Sequence, residues 1–218
     1  MVNEIKPLGV GESPFSSNSV TGYSINFPIA KTCSPTTVCG ATCYAGCGPI
    51  TWSASLAKQQ RNLITCMENP IAFANIVWTR AKKMGLDFIV WNGSGDLFAE
   101  SVIAINHISK VCPEIRQWVR TRKPLFAGQI NDSKNVFVHF SLDKDSLDRA
   151  ERVVFKAKNH FFSYQYAPNE IGPYPKKCKV VFGHDYKMPE GITGKEVCPL
   201  NTLENIKGAC VSCRRCFT

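Results

Sequence analysis

Apolar residues recur at helical spacing in the stretch from residue 53 to residue 84. The spacing predicts one helix over 53–68 and a second over 70–84, separated by Asn69. Pro70 suits the first turn of the second helix, and Gly85 follows its end. The apolar face of the first helix holds Leu56, Leu63, Ile64 and Met67.

From residue 86 onward, short apolar runs of strand type alternate with helical patterns. Such alternation predicts right-handed crossovers and a mainly parallel sheet. The predicted strands cover 86–92, 114–121, 135–143, 160–168 and 179–185, and the predicted helices cover 99–112, 124–131 and 144–159. We therefore expect an α/β fold with four to six strands and flanking helices. It would resemble part of a β/α barrel, since a full barrel needs eight strands.

The two ends of the chain carry cysteines rather than periodic patterns. Residues 1–32 are rich in Ser, Gly, Asn and Pro, which predicts a surface wrap with one edge strand within 21–30. We expect a single domain over 1–218, with a cysteine-rich N-terminal wrap (1–50), an α/β core (51–185) and a cysteine-rich C-terminal segment (186–218).

The chain shows no sign of membrane targeting. No apolar run approaches the roughly 20 residues of a membrane helix. The start of the chain lacks a basic region followed by an apolar stretch, so we expect no signal peptide and a cytoplasmic location.

The chain is basic, with 26 Lys and Arg against 17 Asp and Glu, a formal net charge of +9. This excess favours nucleic acid or a host protein as a partner. The basic residues are scattered, however, and the densest groups are 120–123, 176–179 and 214–215. An ordinary basic surface explains the charge equally well.

Eleven cysteines are the strongest compositional signal. In a reducing cytoplasm such a number points to metal binding or catalysis rather than to disulfides. Two groups of four stand apart from the isolated Cys66, Cys112 and Cys178, which we expect to be small buried hydrophobic residues. The N-terminal group is Cys33, Cys39, Cys43 and Cys47, and the C-terminal group is Cys198, Cys210, Cys213 and Cys216.

The spacing of the C-terminal group favours an iron–sulfur cluster. Cys210, Cys213 and Cys216 form CxxCxxC, a spacing used in ferredoxin-type ligation together with a more distant Cys-Pro. Cys198-Pro199 supplies such a pair. The sequence predicts one or two 4Fe–4S clusters, with zinc as the alternative metal.

The carboxyl ends of the predicted strands carry polar or charged residues, as expected of a pocket in a parallel α/β fold. The string NGSGDLF follows the first strand of the core, and an arginine closes the second. An Asp-capped turn explains NGSGDLF nearly as well. His184, beside Asp185, is the one histidine we considered for proton transfer. The candidate cofactor-binding residues are Gly93, Ser94, Gly95, Asp96 and Arg122.

Several strings resemble the phage gene product 88 family: TCSPTTVC, CYAG, WNGSGDLF, EIRQWVRTR and CVSCRRC. The resemblance extends from about Asn18 to Cys216. It implies a phage origin, a location in the host cytoplasm and an iron–sulfur site, and it implies no reaction.

A more distant resemblance links Cys39, Cys43 and Tyr44 to the CxxxCxΦC loop of radical S-adenosylmethionine proteins. It implies a partial barrel, a 4Fe–4S cluster with one open iron, and S-adenosylmethionine as cofactor. Gly46 stands where the third cysteine of that loop belongs, so Cys33 and Cys47 both remain candidate ligands.

Three functions follow from these observations. The first is an iron–sulfur enzyme of redox or radical type. The second is a non-enzymatic iron–sulfur protein that binds nucleic acid or a host protein. The third is a zinc-stabilised interaction domain. The catalytic residues, the substrate and the oligomeric state stay undefined by the sequence.

Overall fold

The computed structural model describes residues 5–131, 133–153, 155, 157–183, 187–202 and 208–216. Within them, seven strands form one sheet whose order follows the chain from β1 to β7. The first pair is antiparallel and all other neighbours are parallel. The strands are Phe15–Asn18 (β1), Gly22–Ile25 (β2), Phe88–Trp91 (β3), Arg116–Thr121 (β4), Val136–Leu142 (β5), His160–Gln165 (β6) and Cys178–Phe182 (β7).

The predicted α/β class and the mainly parallel sheet are confirmed, whereas the predicted number of strands is too low. A strand order that follows the chain without reversal is the order of β/α barrels rather than of doubly wound sheets. The sheet of the described residues stays open, with β1 and β7 at its edges.

A hairpin near the N-terminus accounts for the additional strand. Asn18 ends β1, and its side-chain Oδ1 accepts hydrogen bonds from the main-chain N–H groups of Val20 and Thr21 at 2.8 and 2.9 Å. Gly22 completes the turn at φ 78°, a conformation that favours glycine. The predicted edge strand within 21–30 is therefore wrong in position, because β2 lies inside the sheet between β1 and β3.

Three long helices pack against one face of the sheet and against each other. Their side of the core holds Phe73, Val77 and Ile105, packed with sheet residues such as Ile89 and Val119. The helices are Ile29–Thr32 (α1), Thr37–Ala41 (α2), Ser53–Glu68 (α3), Pro70–Lys83 (α4), Ala99–Val111 (α5), Pro124–Ala127 (α6) and Ala209–Cys213 (α7). Single 3₁₀ turns cover Tyr44–Gly46, Gly48–Thr51, Leu147–Arg152 and Pro199–Thr202.

The helix predicted over 144–159 is wrong, since only the 3₁₀ segment Leu147–Arg152 forms in its described part. Side chains before it bind the main chain and compete with a helical start. The Ser146 hydroxyl accepts the Asp143 N–H at 2.9 Å, and the Asp143 carboxylate accepts the Asp145 N–H at 3.1 Å. These bonds form a tight turn instead.

The C-terminal segment covers the opposite face of the sheet. Cys210, Val211 and Cys216 pack against a cluster that includes Phe88 and Trp118. Beyond β7, the segment also pairs with the sheet edge, where the Cys198 N–H donates to the Val181 carbonyl at 2.9 Å. The C-terminal cysteine-rich segment thus packs on the same sheet that contains β2, the strand before the N-terminal cysteines.

Among the described residues, no helix is both long enough and apolar enough to cross a membrane.

Candidate functional site

A cavity of about 160 Å³ lies at the carboxyl ends of the parallel strands. The loop after β2 supplies its cysteines, and the ends of β3, β4, β5 and β6 supply polar and charged groups. This is the end of a parallel sheet at which α/β proteins bind their ligands. Its cysteines are Cys33, Cys39 and Cys43.

The cysteine loop is held in place by the loop after β5. Thr36 caps α2, because its Oγ1 accepts the Cys39 N–H at 3.0 Å. The same hydroxyl donates to the fully buried Asp143 at 2.6 Å. Two positions further along both loops, the Val38 N–H donates to the Asp145 carboxylate at 3.2 Å. Both contacts fix the position of Cys39 relative to the strand ends.

Three of the four N-terminal cysteines share the cavity, and the fourth does not. Burial raises the pKa of the Cys33 thiol to about 12, and the neighbouring Asp96, Cys39 and Cys43 add to the rise. Burial likewise raises the pKa of Cys39, against the opposing effect of the Arg122 guanidinium. Cys47 is exposed and does not line the cavity. The structure therefore places Cys33, rather than Cys47, with Cys39 and Cys43.

The segment from Gly93 to Asp96 joins two strand-end loops. The Ser94 carbonyl accepts the Phe27 N–H at 3.0 Å, and the Ser94 hydroxyl donates to the Phe27 carbonyl at 3.1 Å. A Cβ on Gly93 would lie 2.4 Å from the Asn26 side chain, so this glycine permits close approach of protein segments. Ser94, Gly95 and Asp96 also line the cavity.

Replacing Gly95 by Ala is expected to lower the free energy of unfolding by about 2–4 kcal/mol, from left-handed strain and overpacking together. Gly95 has φ +81°, and a Cβ there would lie 2.8 Å from the Phe27 carbonyl oxygen. Urea unfolding followed by circular dichroism measures the change. Gly128→Ala is the control, because its Cβ would have only ordinary contacts at 3.7 Å or more. Equal losses in the two variants would contradict the close packing.

Asp96 and Arg122 lie at the cavity, each bound to protein groups. The Asp96 carboxylate accepts hydrogen bonds from the Thr121 hydroxyl at 2.6 Å and from the Leu97 N–H at 2.7 Å. Burial raises the pKa of Asp96, against these hydrogen bonds. The N-cap residue of α5 is Phe98. The alternative in which Asp96 caps the start of this helix is therefore wrong. The Arg122 guanidinium pairs with Asp143 at 2.5 Å and donates to Gln165 at 3.1 Å.

Two further cavity residues were not singled out from the sequence. Arg120 is the second-last residue of β4, two positions before Arg122, and its guanidinium lies 4.3 Å from the centre of the Trp118 ring. Asn92 has φ 58°, a left-handed conformation that asparagine tolerates better than most residues. Its side-chain amide donates to the Arg120 carbonyl at 2.8 Å. Alternation along a strand puts Arg120 and Arg122 on one side of it, but alternation does not show which of them has a carboxylate partner.

All four C-terminal cysteines line a second, smaller cavity of about 30 Å³. Cys198 is buried, Cys213 is exposed, and Cys210 and Cys216 lie between these extremes. Burial raises the pKa of Cys216 to about 12 and that of Cys198 to about 11, and nearby cysteines contribute to both. The C-terminal group is thus separate from the N-terminal group.

Neither cysteine group is arranged around a single ion. Among the described residues, no three or more His, Cys, Asp or Glu side chains form a group that could hold one metal ion. Cys33, Cys39 and Cys43 surround one cavity, and the four C-terminal cysteines surround the other. Neighbouring thiols add to the raised pKa of Cys33 and of Cys216. Cysteine thiolates are the usual ligands of iron–sulfur clusters, so the chemistry of the donor set fits such a cluster.

The three isolated cysteines and His139 are buried and line neither cavity. Cys66, Cys112 and Cys178 are buried, as expected of small hydrophobic residues. His139 is buried in β5, where its Nε2 lies 2.9 Å from the Cys216 carbonyl oxygen. His184 and Asp185 lie outside the described residues, so their expected role stays a prediction.

One residue of each basic group of the sequence contacts a carboxylate or an aromatic ring. Arg122 pairs with Asp143 inside the cavity. Lys179 lies 4.5 Å from the centre of the Phe161 ring. Arg214 pairs with Asp87 at 2.5 Å. Nucleic-acid binding stays a prediction.

The fold and the site together define an α/β protein with a consecutively ordered parallel sheet and a cysteine-lined cavity at the carboxyl ends of its strands. The chain belongs to the gene product 88 family, whose model matches residues 5–218. This membership confirms the resemblance to the phage family. Searches of curated proteins and of solved structures found no match. The family match bears on neither iron nor S-adenosylmethionine, so both remain hypotheses.

Proposed function

We propose that this phage-family protein is an iron–sulfur enzyme of redox or radical type that acts in the host cytoplasm. One observation carries the proposal: Cys33, Cys39 and Cys43 line a polar cavity at the carboxyl ends of parallel strands. In this position a cysteine-held cluster would lie beside any molecule bound in the cavity. Such a cluster supplies one-electron transfer and, at an open iron, a binding position for a ligand.

The N-terminal site would hold its cluster through three cysteines and leave one position open. A metal centre with three protein ligands keeps a place for substrate, whereas four protein ligands close it. Cys47 is four residues beyond Cys43 but exposed and outside the cavity. The open position would face the cavity. S-adenosylmethionine is the ligand that the distant sequence resemblance suggests for it.

The C-terminal site would hold a second cluster through four cysteines. Cys198, Cys210, Cys213 and Cys216 line one cavity and complete a four-thiol set. This site would be closed to substrate. Its cluster would stabilise the face of the sheet that the C-terminal segment covers, because energy of metal binding adds to the energy of folding.

Iron and sulfide analysis of anaerobically purified protein tests the proposal. Two 4Fe–4S clusters give about eight irons per chain, with brown colour and broad absorbance near ~400 nm. Colourless protein with stoichiometric zinc would reject the iron–sulfur proposal and favour a zinc-stabilised domain.

The variants Cys43→Ser and Cys47→Ser form a matched pair, four residues apart in one loop. Cys43→Ser is expected to remove the N-terminal cluster and about half of the iron, because serine is a poor ligand in a three-thiol site. Cys47→Ser is expected to keep full iron. Binding of S-adenosylmethionine should likewise be lost in the first variant and kept in the second. Full iron in Cys43→Ser would show that Cys43 is not a ligand, and iron loss in Cys47→Ser would show that Cys47 is one.

A further inference from the structure

Arg120 differs from the other charged groups around the strand-end cavity. Arg122 is paired with Asp143, whose side chain is fully buried. The Asp96 carboxylate accepts hydrogen bonds from Thr121, Leu97 and the Arg122 main chain. Within the described ranges, no carboxylate lies at ion-pairing distance from Arg120. Its positive charge therefore has no acidic partner in that part of the chain.

The position of Arg120 is fixed by its surroundings rather than by an ion pair. Its guanidinium lies over the Trp118 ring, a contact that orients the guanidinium plane. Its main-chain carbonyl is bound by Asn92 at 2.8 Å. Its Nε is buried and lacks a hydrogen-bond partner in the structure. A buried donor without a partner is costly, and a fixed guanidinium suits two-point binding of a planar or tetrahedral anion.

The cavity has the size and lining for such a ligand. Its volume of about 160 Å³ is many times the roughly 10–15 Å³ that a single water molecule needs. Ser141 and Gln165, which also line the cavity, add hydrogen-bonding side chains to it. Because the cavity is partly shielded from solvent, the attraction between a guanidinium and an anion is stronger there than in water.

We propose that the strand-end cavity binds a small molecule through a carboxylate or phosphate group, and that Arg120 binds this anion. The inference rests on the proposed function only for the role of the ligand, which would lie beside the cysteine-held cluster. Anion binding itself requires no cluster. The alternative role of Arg120 is to offset the charge of Cys210 and Cys216, on both of which its guanidinium acts electrostatically.

The test measures thermal stabilisation of the purified full chain by inorganic phosphate and by acetate at fixed ionic strength, with iron content determined on the same samples. A ligand that binds only the folded state raises the melting temperature according to its dissociation constant. We expect at least one of the two anions to stabilise the wild-type protein. Stabilisation by phosphate alone identifies a phosphate-bearing ligand, and stabilisation by acetate identifies a carboxylate.

Arg120→Gln is expected to weaken the binding at least tenfold, since a hydrogen bond to a charged group is lost. Arg120→Lys keeps the positive charge but lacks the planar guanidinium that can bind an anion at two points. It should bind the anion more tightly than Arg120→Gln but less tightly than the wild type. Arg116→Gln, on the exposed opposite end of the same strand, is the control and should bind like the wild type.

Three outcomes would overturn the proposal: neither anion stabilises the wild-type protein, Arg120→Gln binds as tightly as Arg116→Gln, or Arg120→Gln loses iron while anion binding is unchanged. The last result would assign Arg120 to the C-terminal cysteines. Anion binding by a wild-type protein that contains no iron would support the anion site and reject the iron–sulfur function. Full iron content without anion binding would reject the anion site and support the iron–sulfur function.

Discussion

Replacing Asp143 by Asn is expected to lower the free energy of unfolding by about 3–5 kcal/mol, the range for breaking a buried ion pair from one side. Asp143 is fully buried and pairs with the Arg122 guanidinium at 2.5 Å. Asparagine keeps the shape of the side chain but leaves that guanidinium without a counter-charge. Urea unfolding followed by circular dichroism measures the loss.

The same substitution should disturb the N-terminal cysteine site, because the Asp143 carboxylate holds Thr36, the cap of the helix that carries Cys39. We expect the iron content to fall together with stability. Asp148→Asn provides the control, since the Asp148–Arg152 pair is exposed and such pairs contribute at most about 1 kcal/mol. A loss for Asp143→Asn no larger than that of the control would show that the buried pair does not anchor the loop.

Cys210→Ser is expected to remove the C-terminal cluster, about half of the iron of the chain, and about 3 kcal/mol or more of folding free energy. The side chain of Cys210 contacts both small hydrophobic clusters on the face opposite the long helices. Loss of the cluster would therefore loosen the packing of the C-terminal segment on the sheet. Iron analysis and thermal unfolding of the same preparation measure both effects.

Cys66→Ser separates the loss of a ligand from the loss of a buried thiol. Cys66 is fully buried in the helix-side core and lies in neither cysteine cavity. Its replacement should lower stability modestly and leave the iron content unchanged. Iron loss in Cys66→Ser, or full iron in Cys210→Ser, would show that the proposed ligands are wrong.

The sequence predicts the regular elements well where the hydrophobic periodicity agrees with the residues that begin and end helices. The helix predicted over 53–68 is α3, Ser53–Glu68, and Pro70 begins α4 as its fixed φ allows. The sequence fails where side chains compete with the backbone. Ser146 and Asp143 turn the predicted helix over 144–159 into a short 3₁₀ segment, and Asn18 with Gly22 builds a hairpin where a surface wrap was predicted.

The candidate site is only partly predictable for a related reason. Strand ends and cysteine spacing identify Asp96, Arg122, Cys39 and Cys43 as residues to consider, because these signals are local in sequence. The choice between Cys33 and Cys47 depends on how the loop folds back on the sheet. No local pattern contains that information.

The contacts that shape the N-terminal cysteine loop join residues far apart in the chain. Thr36 and Asp143, and likewise Val38 and Asp145, are separated by 107 positions. A contact between residues so far apart requires closure of the long chain segment between them. The pairing of the strands offsets the entropy cost of this closure. We therefore expect the loop that carries Cys39 to take its final shape only after β5 has joined the sheet. In kinetic terms, assembly of a metal centre in this loop should follow the folding of the sheet rather than guide it.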